Sequence, residues 1–182
     1  MKRIAAATCL AAAIAAITGP SAFAASATVT GNISAGALSI TTSATPSFSV
    51  TLDGTDKTGT YSVPTTVTDS TGSGSGWNLT ITSTQFTTGG GSPSTLSTNA
   101  SSLTGVTNTC VTTCTSPTNA ISYPVAVPAG SGPPTAVKYF NAAATTGSGQ
   151  FTNTPALSVS VPASSNAGTY TSTLTLAAVS GP

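Results

Sequence analysis

The side chains of this sequence that could do chemistry are few. Asp53, Asp56 and Asp69 are its only carboxylates, and it contains neither His nor Glu. Those absent residues are the usual general bases, general acids and metal ligands, so Ser-His-Asp and Cys-His catalysis cannot be built. A glycosidase using paired carboxylates would have to work with Asp alone. All three aspartates sit beside turn signals, and Asp53-Gly54-Thr55-Asp56 reads as a turn between strands. Carboxylates and loop carbonyls there could contribute to a weak calcium site, but the ligand density of an EF-hand loop is missing. The expectation is a non-catalytic protein with no cofactor and no metal.

Export is expected from the start of the chain. Lys2 and Arg3 precede an alanine-rich apolar run from Ile4 to Ile17, and Ala22-Phe23-Ala24 forms a small-x-small cleavage site, so residues 1–24 read as a secretory signal. Cys9 lies inside the apolar run after Thr8, a poor context for lipid modification. Nothing later approaches the ~20 apolar residues of a spanning helix, so no membrane span is expected. Beyond residue 24 the only cations are Lys57 and Lys138, which offers no electrostatic footprint for nucleic acid or anionic lipid.

In an exported chain Cys110 and Cys114 are expected to form a disulfide with each other. So short a ring is worth on the order of 2 kcal/mol, fixing a loop rather than the fold. A redox pair is the alternative, but exchange chemistry usually uses a tighter spacing and a thiolate-stabilising cation. Zinc would require more ligands than two sulfurs.

The residues that position these groups follow a strand pattern. Ser and Thr make up about a third of the chain, a bias shared with flexible stalks, yet apolar residues recur at alternate positions in short runs bounded by Gly, Pro, Asn and Asp. Strands are predicted over 28–33, 38–41, 48–52, 61–67, 77–82, 121–127, 137–140, 157–161 and 170–176. Half-buried strands must cover one another's apolar faces, so the expected fold is all-β: a single-domain antiparallel β-sandwich of Greek-key or jelly-roll type over residues 25–182. The stretch 87–118, with Gly89-Gly90-Gly91 and little periodicity, is expected to be an elaborated loop holding a short strand or two. Alternating threonines such as Thr80, Thr82 and Thr84 lack the repeat of a stacked ladder and read as the wet face of ordinary strands.

From Asp69 through Gly72, Gly74 and Gly76 to Trp77-Asn78-Leu79, the chain resembles the WxL domain of Gram-positive bacterial surface proteins, whose signature is an Asp, a Gly-rich turn and a Trp-x-Leu strand. The order around it is similar as well: paired strands over 38–52 before it, Phe86 after it, and Val161-Pro162 with Ala167-Gly168-Thr169-Tyr170 leading into a last strand. Asp69, Gly76, Trp77 and Leu79 are the motif residues. The chain departs from the family at the second Trp-x-Leu of the last strand, where Thr173-Leu174-Thr175-Leu176 stands, making it a divergent, WxL-like sequence.

The resemblance implies a protein of the cell surface or wall that associates non-covalently with peptidoglycan or another wall glycan, with other surface proteins as further partners. No LPxTG-type motif is present, so retention is expected to use a surface of the fold. Lys57 or Lys138 could join Asn or Asp in an isopeptide bond, but the usual Glu promoter is missing. Trp77 alternates with Leu79 and Ile81, which makes it a core anchor in a sandwich, with a sugar-stacking platform as the alternative. Asp69 is expected to make turn hydrogen bonds. The competing function is a self-assembling or adhesive subunit, since low charge and open sheet edges favour strand addition between copies.

Overall fold

The computed structural model describes residues 26–182. The expected signal at residues 1–24, Cys9 included, lies outside the described residues. Ser34–Pro182 forms one compact unit; residues 26–33 are the described part of a separate one. That short stretch carries no strand, and Val29 and Ile33 are exposed, so the strand predicted over 28–33 is not formed.

Ten strands and no helix make up the described residues: β1 (Leu38–Thr41), β2 (Lys57–Ser62), β3 (Thr65–Asp69), β4 (Trp77–Thr84), β5 (Ser101–Cys110), β6 (Val125–Ala126), β7 (Ala129–Gly130), β8 (Val137–Ala142), β9 (Gly149–Val161) and β10 (Leu174–Ser180). One sheet runs β1-β3-β9-β5-β6, with β2 also paired to β9; the other runs β10-β4-β7, with β8 also paired to β4. The pairings are antiparallel except the short parallel contact of β4 with β7. The two sheets form the expected all-β sandwich, whose main core lies between them and includes Val67, Trp77, Leu79, Leu103, Phe151 and Leu157.

Each departure from simple alternation has a local cause. The strand predicted over 61–67 is divided: β2 ends with Ser62 opposite Ala156, β3 begins with Thr65 opposite Asn153, and between them Pro64 and Pro155 lack the N–H groups a continuous ladder needs. In β8 the register slips opposite Leu79 and Thr80, so Tyr139 and Phe140 are both buried where alternation would turn one outward. β9 extends well beyond the predicted 157–161. Its inward positions include Asn153 and Pro155 as well as Phe151, Leu157 and Val159, and the polar and cyclic residues interrupt the apolar period.

The largest correction concerns 87–118. A ten-residue strand, β5, occupies its latter half and pairs along β9 from Ser101 to Cys110. Leu103 is its one buried large apolar side chain, and a bulge at Thr104 breaks the period, so its sequence gives almost no strand signal. The last strand is displaced from 170–176 to Leu174–Ser180, and residues 48–52 enter no ladder.

Buried polar groups are numerous and paired. Tyr139 Oη donates to Asn153 Oδ1 at 3.3 Å, Asn153 Nδ2 donates to Asn108 Oδ1 at 3.1 Å, and Thr65 Oγ1 donates to the Asn153 carbonyl at 2.8 Å. No buried side-chain nitrogen or oxygen among the described residues lacks a partner. Such pairing is required, since an orphaned polar group there costs about 1–3 kcal/mol.

Burial, with the Tyr123 oxygen nearby, pushes the Tyr139 phenol well above its ordinary range, and burial raises Tyr61 and Tyr123 as well. These groups bind their protons more tightly folded than unfolded. Their stabilisation is therefore complete below about pH 10 and lost as pH climbs through the folded-state values. The thermal midpoint is expected to hold level up to about pH 10 and fall beyond it, with a shallower fall in Tyr139→Phe; scanning calorimetry across alkaline pH checks this.

Candidate functional site

Two regions qualify as candidates: the motif around Trp77, and a groove at one end of the sandwich. The motif starts where β3 leaves the first sheet. Asp69 Oδ1 accepts from the Thr71 backbone N–H at 3.0 Å and from Thr71 Oγ1 at 2.7 Å, closing an Asx turn. Thr71 Oγ1 then meets Ser73 Oγ at 3.0 Å, and Ser73 Oγ meets Ser75 Oγ at 2.7 Å. The intervening Gly72, Gly74 and Gly76 have φ of 63°, 65° and 73°, so the repeat of hydroxyl residue and glycine is a conformational requirement. A Cβ on Gly76 would also overlap the Ala142 carbonyl oxygen.

This spiral delivers Trp77 into the first position of β4, where its ring is wholly buried. The indole lies 5.9 Å from the Phe140 ring and 6.2 Å from that of Phe151, which come from opposite sheets. Its Nε1–H donates to the Gly147 carbonyl at 2.8 Å. Gly147 is itself constrained: its φ is 78°, and a Cβ there would come within 2.7 Å of Trp77 Nε1. Leu79 is fully buried beside the ring, and Asn78 donates from Nδ2 to the Gly181 carbonyl at 2.7 Å. The structure thus brings Asp69, Gly76, Trp77 and Leu79 together as a joint between the sheets. The indole has no free face to offer a sugar.

The last strand lies directly against the motif. β10 pairs antiparallel with β4, setting Leu176 opposite Ile81 and Ala178 opposite Leu79. Leu174, Leu176 and Ala178 are half-buried against the main core, so aliphatic side chains fill this strand's share of the interior.

Cys110 and Cys114 are disulfide-bonded at the end of β5. The short ring lies over the start of β9: the Val111 N–H donates to the Gln150 carbonyl at 2.9 Å, and the Thr115 N–H to the Ser148 carbonyl at 2.9 Å. The other chemistry-bearing residues are dispersed. Asp53 accepts from Lys57 Nζ at 2.7 Å, and Lys57, followed by Thr55, holds its carboxyl below the usual value. Asp56 Oδ1 accepts from the Ala163 N–H at 2.8 Å, and Lys138 Nζ donates to the Pro182 carbonyl at 3.0 Å. Among the described residues no three of His, Cys, Asp or Glu come together.

The groove is the region that sequence reasoning missed. Phe48, Val50 and Leu52 cover a second, smaller core of Leu96, Ala100, Val159 and Val161, together with Tyr61, Phe86 and Tyr170. Phe48 stacks on Tyr61 with ring centroids 6.0 Å apart and meets Phe86 edge-on at 5.9 Å. Gly59 makes this possible, since a Cβ there would overlap the Phe48 ring. Between 46–52 on one side and 165–172 on the other lies a cavity of about 860 Å³, within the range of ligand sites. A second hollow of about 580 Å³ adjoins it along β1 and β10, sharing Pro46, Ser172 and Leu174.

No lysine, arginine, aspartate or glutamate lines the larger groove. Among the described residues, 46–52 make no backbone-to-backbone hydrogen bond, although their side chains alternate as in a strand. Across the groove, the backbone of Thr171 and Thr173 bonds to Thr87 and Thr84, which holds the intervening Ser172 in the groove lining. The sequence signals that existed were the alternation of Phe48, Val50 and Leu52 and the Pro162 to Tyr170 turn region. Neither reveals that the two meet.

A family model described as WxL domain surface cell wall-binding matches residues 26–182. No curated protein and no solved structure matches the chain. No helix among the described residues is long and apolar enough to cross a membrane.

Trp77→Ala is expected to cost about 3–5 kcal/mol, because it opens a cavity between the sheets and orphans the Gly147 carbonyl; urea unfolding followed by circular dichroism measures the loss. The double substitution Cys110→Ser with Cys114→Ser should cost no more than about 2 kcal/mol and leave the far-ultraviolet spectrum unchanged, since the ring it opens is short.

Proposed function

This chain belongs to the WxL domain family, and from that membership we propose that it is a non-catalytic module of a Gram-positive cell surface that holds wall peptidoglycan without a covalent bond. The observation that carries this reading is the family match over residues 26–182, which takes in all of the compact unit Ser34–Pro182. Burial of the motif supports a division of labour. Trp77 and Leu79 sustain the sandwich, and recognition falls to a surface that the sandwich presents.

The groove between 46–52 and 165–172 is the contact surface in this reading. It is concave, half-apolar and bordered by hydroxyl groups, features shared by ligand sites. Its lack of charged lining means that attachment there would not depend on ion pairing. Lys57 is engaged by Asp53, and Lys138, whose ammonium donates to the Pro182 carbonyl, has no second lysine or arginine beside it among the described residues, so the described surface has no cationic patch to attract anionic wall polymers.

Purified protein is expected to pellet saturably with isolated Gram-positive peptidoglycan. Pelleting should change little between roughly 0.1 and 1 M salt, although the Debye length falls from about 10 Å to about 3 Å over that range. Failure to pellet, with folding confirmed by circular dichroism, would overturn the reading.

A further inference from the structure

Resting on the wall-binding reading, we propose that the groove takes the neutral, N-acetylated sugar chain of peptidoglycan, rather than its stem peptides or the anionic polymers of the wall. The first argument is charge. An anionic phosphate or carboxylate entering this groove would lose water and meet no lysine or arginine in the lining, and a buried, unpaired charge is strongly disfavoured. A neutral ligand carries no such cost.

The second argument is the pairing of apolar and polar surface. Phe48, Tyr61, Phe86 and Tyr170 give the groove aromatic surface, each ring half-buried. A pyranose ring has an apolar C–H face that packs against such rings while its equatorial hydroxyls point sideways. The polar lining residues beside these rings include Ser165, Thr169 and Asn166, and Ser172, whose hydroxyl donates to the Thr84 carbonyl. Asn166 Nδ2 donates to Ser94 Oγ at 2.8 Å, which orients its Oδ1 as an acceptor, and Tyr170 Oη donates to the Asn166 carbonyl at 2.9 Å, fixing the ring.

The third argument concerns the backbone. The 46–52 stretch, which among the described residues makes no backbone-to-backbone bond, offers N–H donors and C=O acceptors, the two halves of what an acetamido group requires. An added polypeptide strand would use the same edge, but the facing border is not a second straight edge. It passes through a turn in which the Ser165 N–H donates to the Pro162 carbonyl at 3.0 Å, and Gly168 lies against Thr88. Along 165–169 the border presents side-chain hydroxyls and an amide, which suits a sugar better than a ladder.

The probe is the tetramer of N-acetylglucosamine, titrated into the purified protein by NMR and used to compete with peptidoglycan in pelleting. Saturable shifts concentrated in 46–52 and 165–172, displacement from peptidoglycan, and about tenfold weaker binding in Tyr170→Ala are expected, the last being the loss of one aromatic contact. Asn166→Ala, away from both cores, is the second variant and should weaken binding without altering the melting temperature. Protein that pellets with peptidoglycan yet neither shifts with nor is displaced by the tetramer would overturn this proposal and leave the wall-binding reading standing. Shifts in the groove with an uncharged extended peptide, and none with the tetramer, would assign the groove to strand addition and overturn it as well. Protein that does not pellet at all fails both.

Discussion

An indole ring is too large to leave half in water in so small a core and carries one N–H that must be satisfied wherever it is buried. Trp77 meets both demands at once. Its ring touches Phe140 of one sheet and Phe151 of the other, and its N–H reaches the Gly147 carbonyl. Much of the surrounding structure follows from that placement. Gly147 cannot carry a side chain, Gly76 must turn with a positive φ, and the hydroxyl spiral from Thr71 to Ser75 must hold its course between β3 and β4. The motif is therefore a structural joint between two sheets, and its residues are constrained by packing.

A protein this poor in charge has few ionic means of specifying its interior. It uses neutral hydrogen bonds instead. Asn153 lies wholly within the sandwich, tied to Tyr139, Asn108 and Thr65, and Asn141 accepts from the Ala120 N–H at 2.8 Å. Each such group is tolerable only because it is paired, so the network penalises any register in which the partners miss. Bulges at Thr104 and Tyr139 adjust the strands to those pairings and to the aromatic side chains they must admit.

The division between the two cores carries the functional consequence. The main core is closed around Trp77, while the smaller core is covered by half-buried residues, among them Phe48 and Tyr170, that line the groove. Half-buried aromatic rings beside a stretch that, among the described residues, makes no backbone-to-backbone bond give this end of the sandwich apolar and polar groups for a ligand to meet, which is the physical reason for reading it as a binding surface. The same polypeptide economy explains the disulfide. It fixes the short turn after β5 against β9, at the end of a strand with little apolar surface to hold it.

The sequence by itself determined the all-β class, the absence of the usual catalytic side chains and the likeness to the family, because alternation, composition and a short motif are local properties of a chain. It left Trp77 between core anchor and sugar platform, and the packing of Phe140 and Phe151 decided for the core. β4 was legible because its apolar residues Trp77, Leu79 and Ile81 alternate in an uninterrupted run, and β8 was found despite the bulge that buries Tyr139 and Phe140 together. β5 was not. A strand whose inward positions are Ser101 and Leu103 earns its place from β9 alongside it, and that neighbour is remote in sequence. The tail of alternating residues at 28–33 taught the opposite lesson, since a strand pattern forms no strand where no edge is supplied. Only the tertiary structure decided the groove. Phe48, Tyr61, Phe86 and Tyr170 come from four separate segments, and their meeting depends on Gly59 yielding space and on the turn after Pro162, contacts that no local pattern encodes.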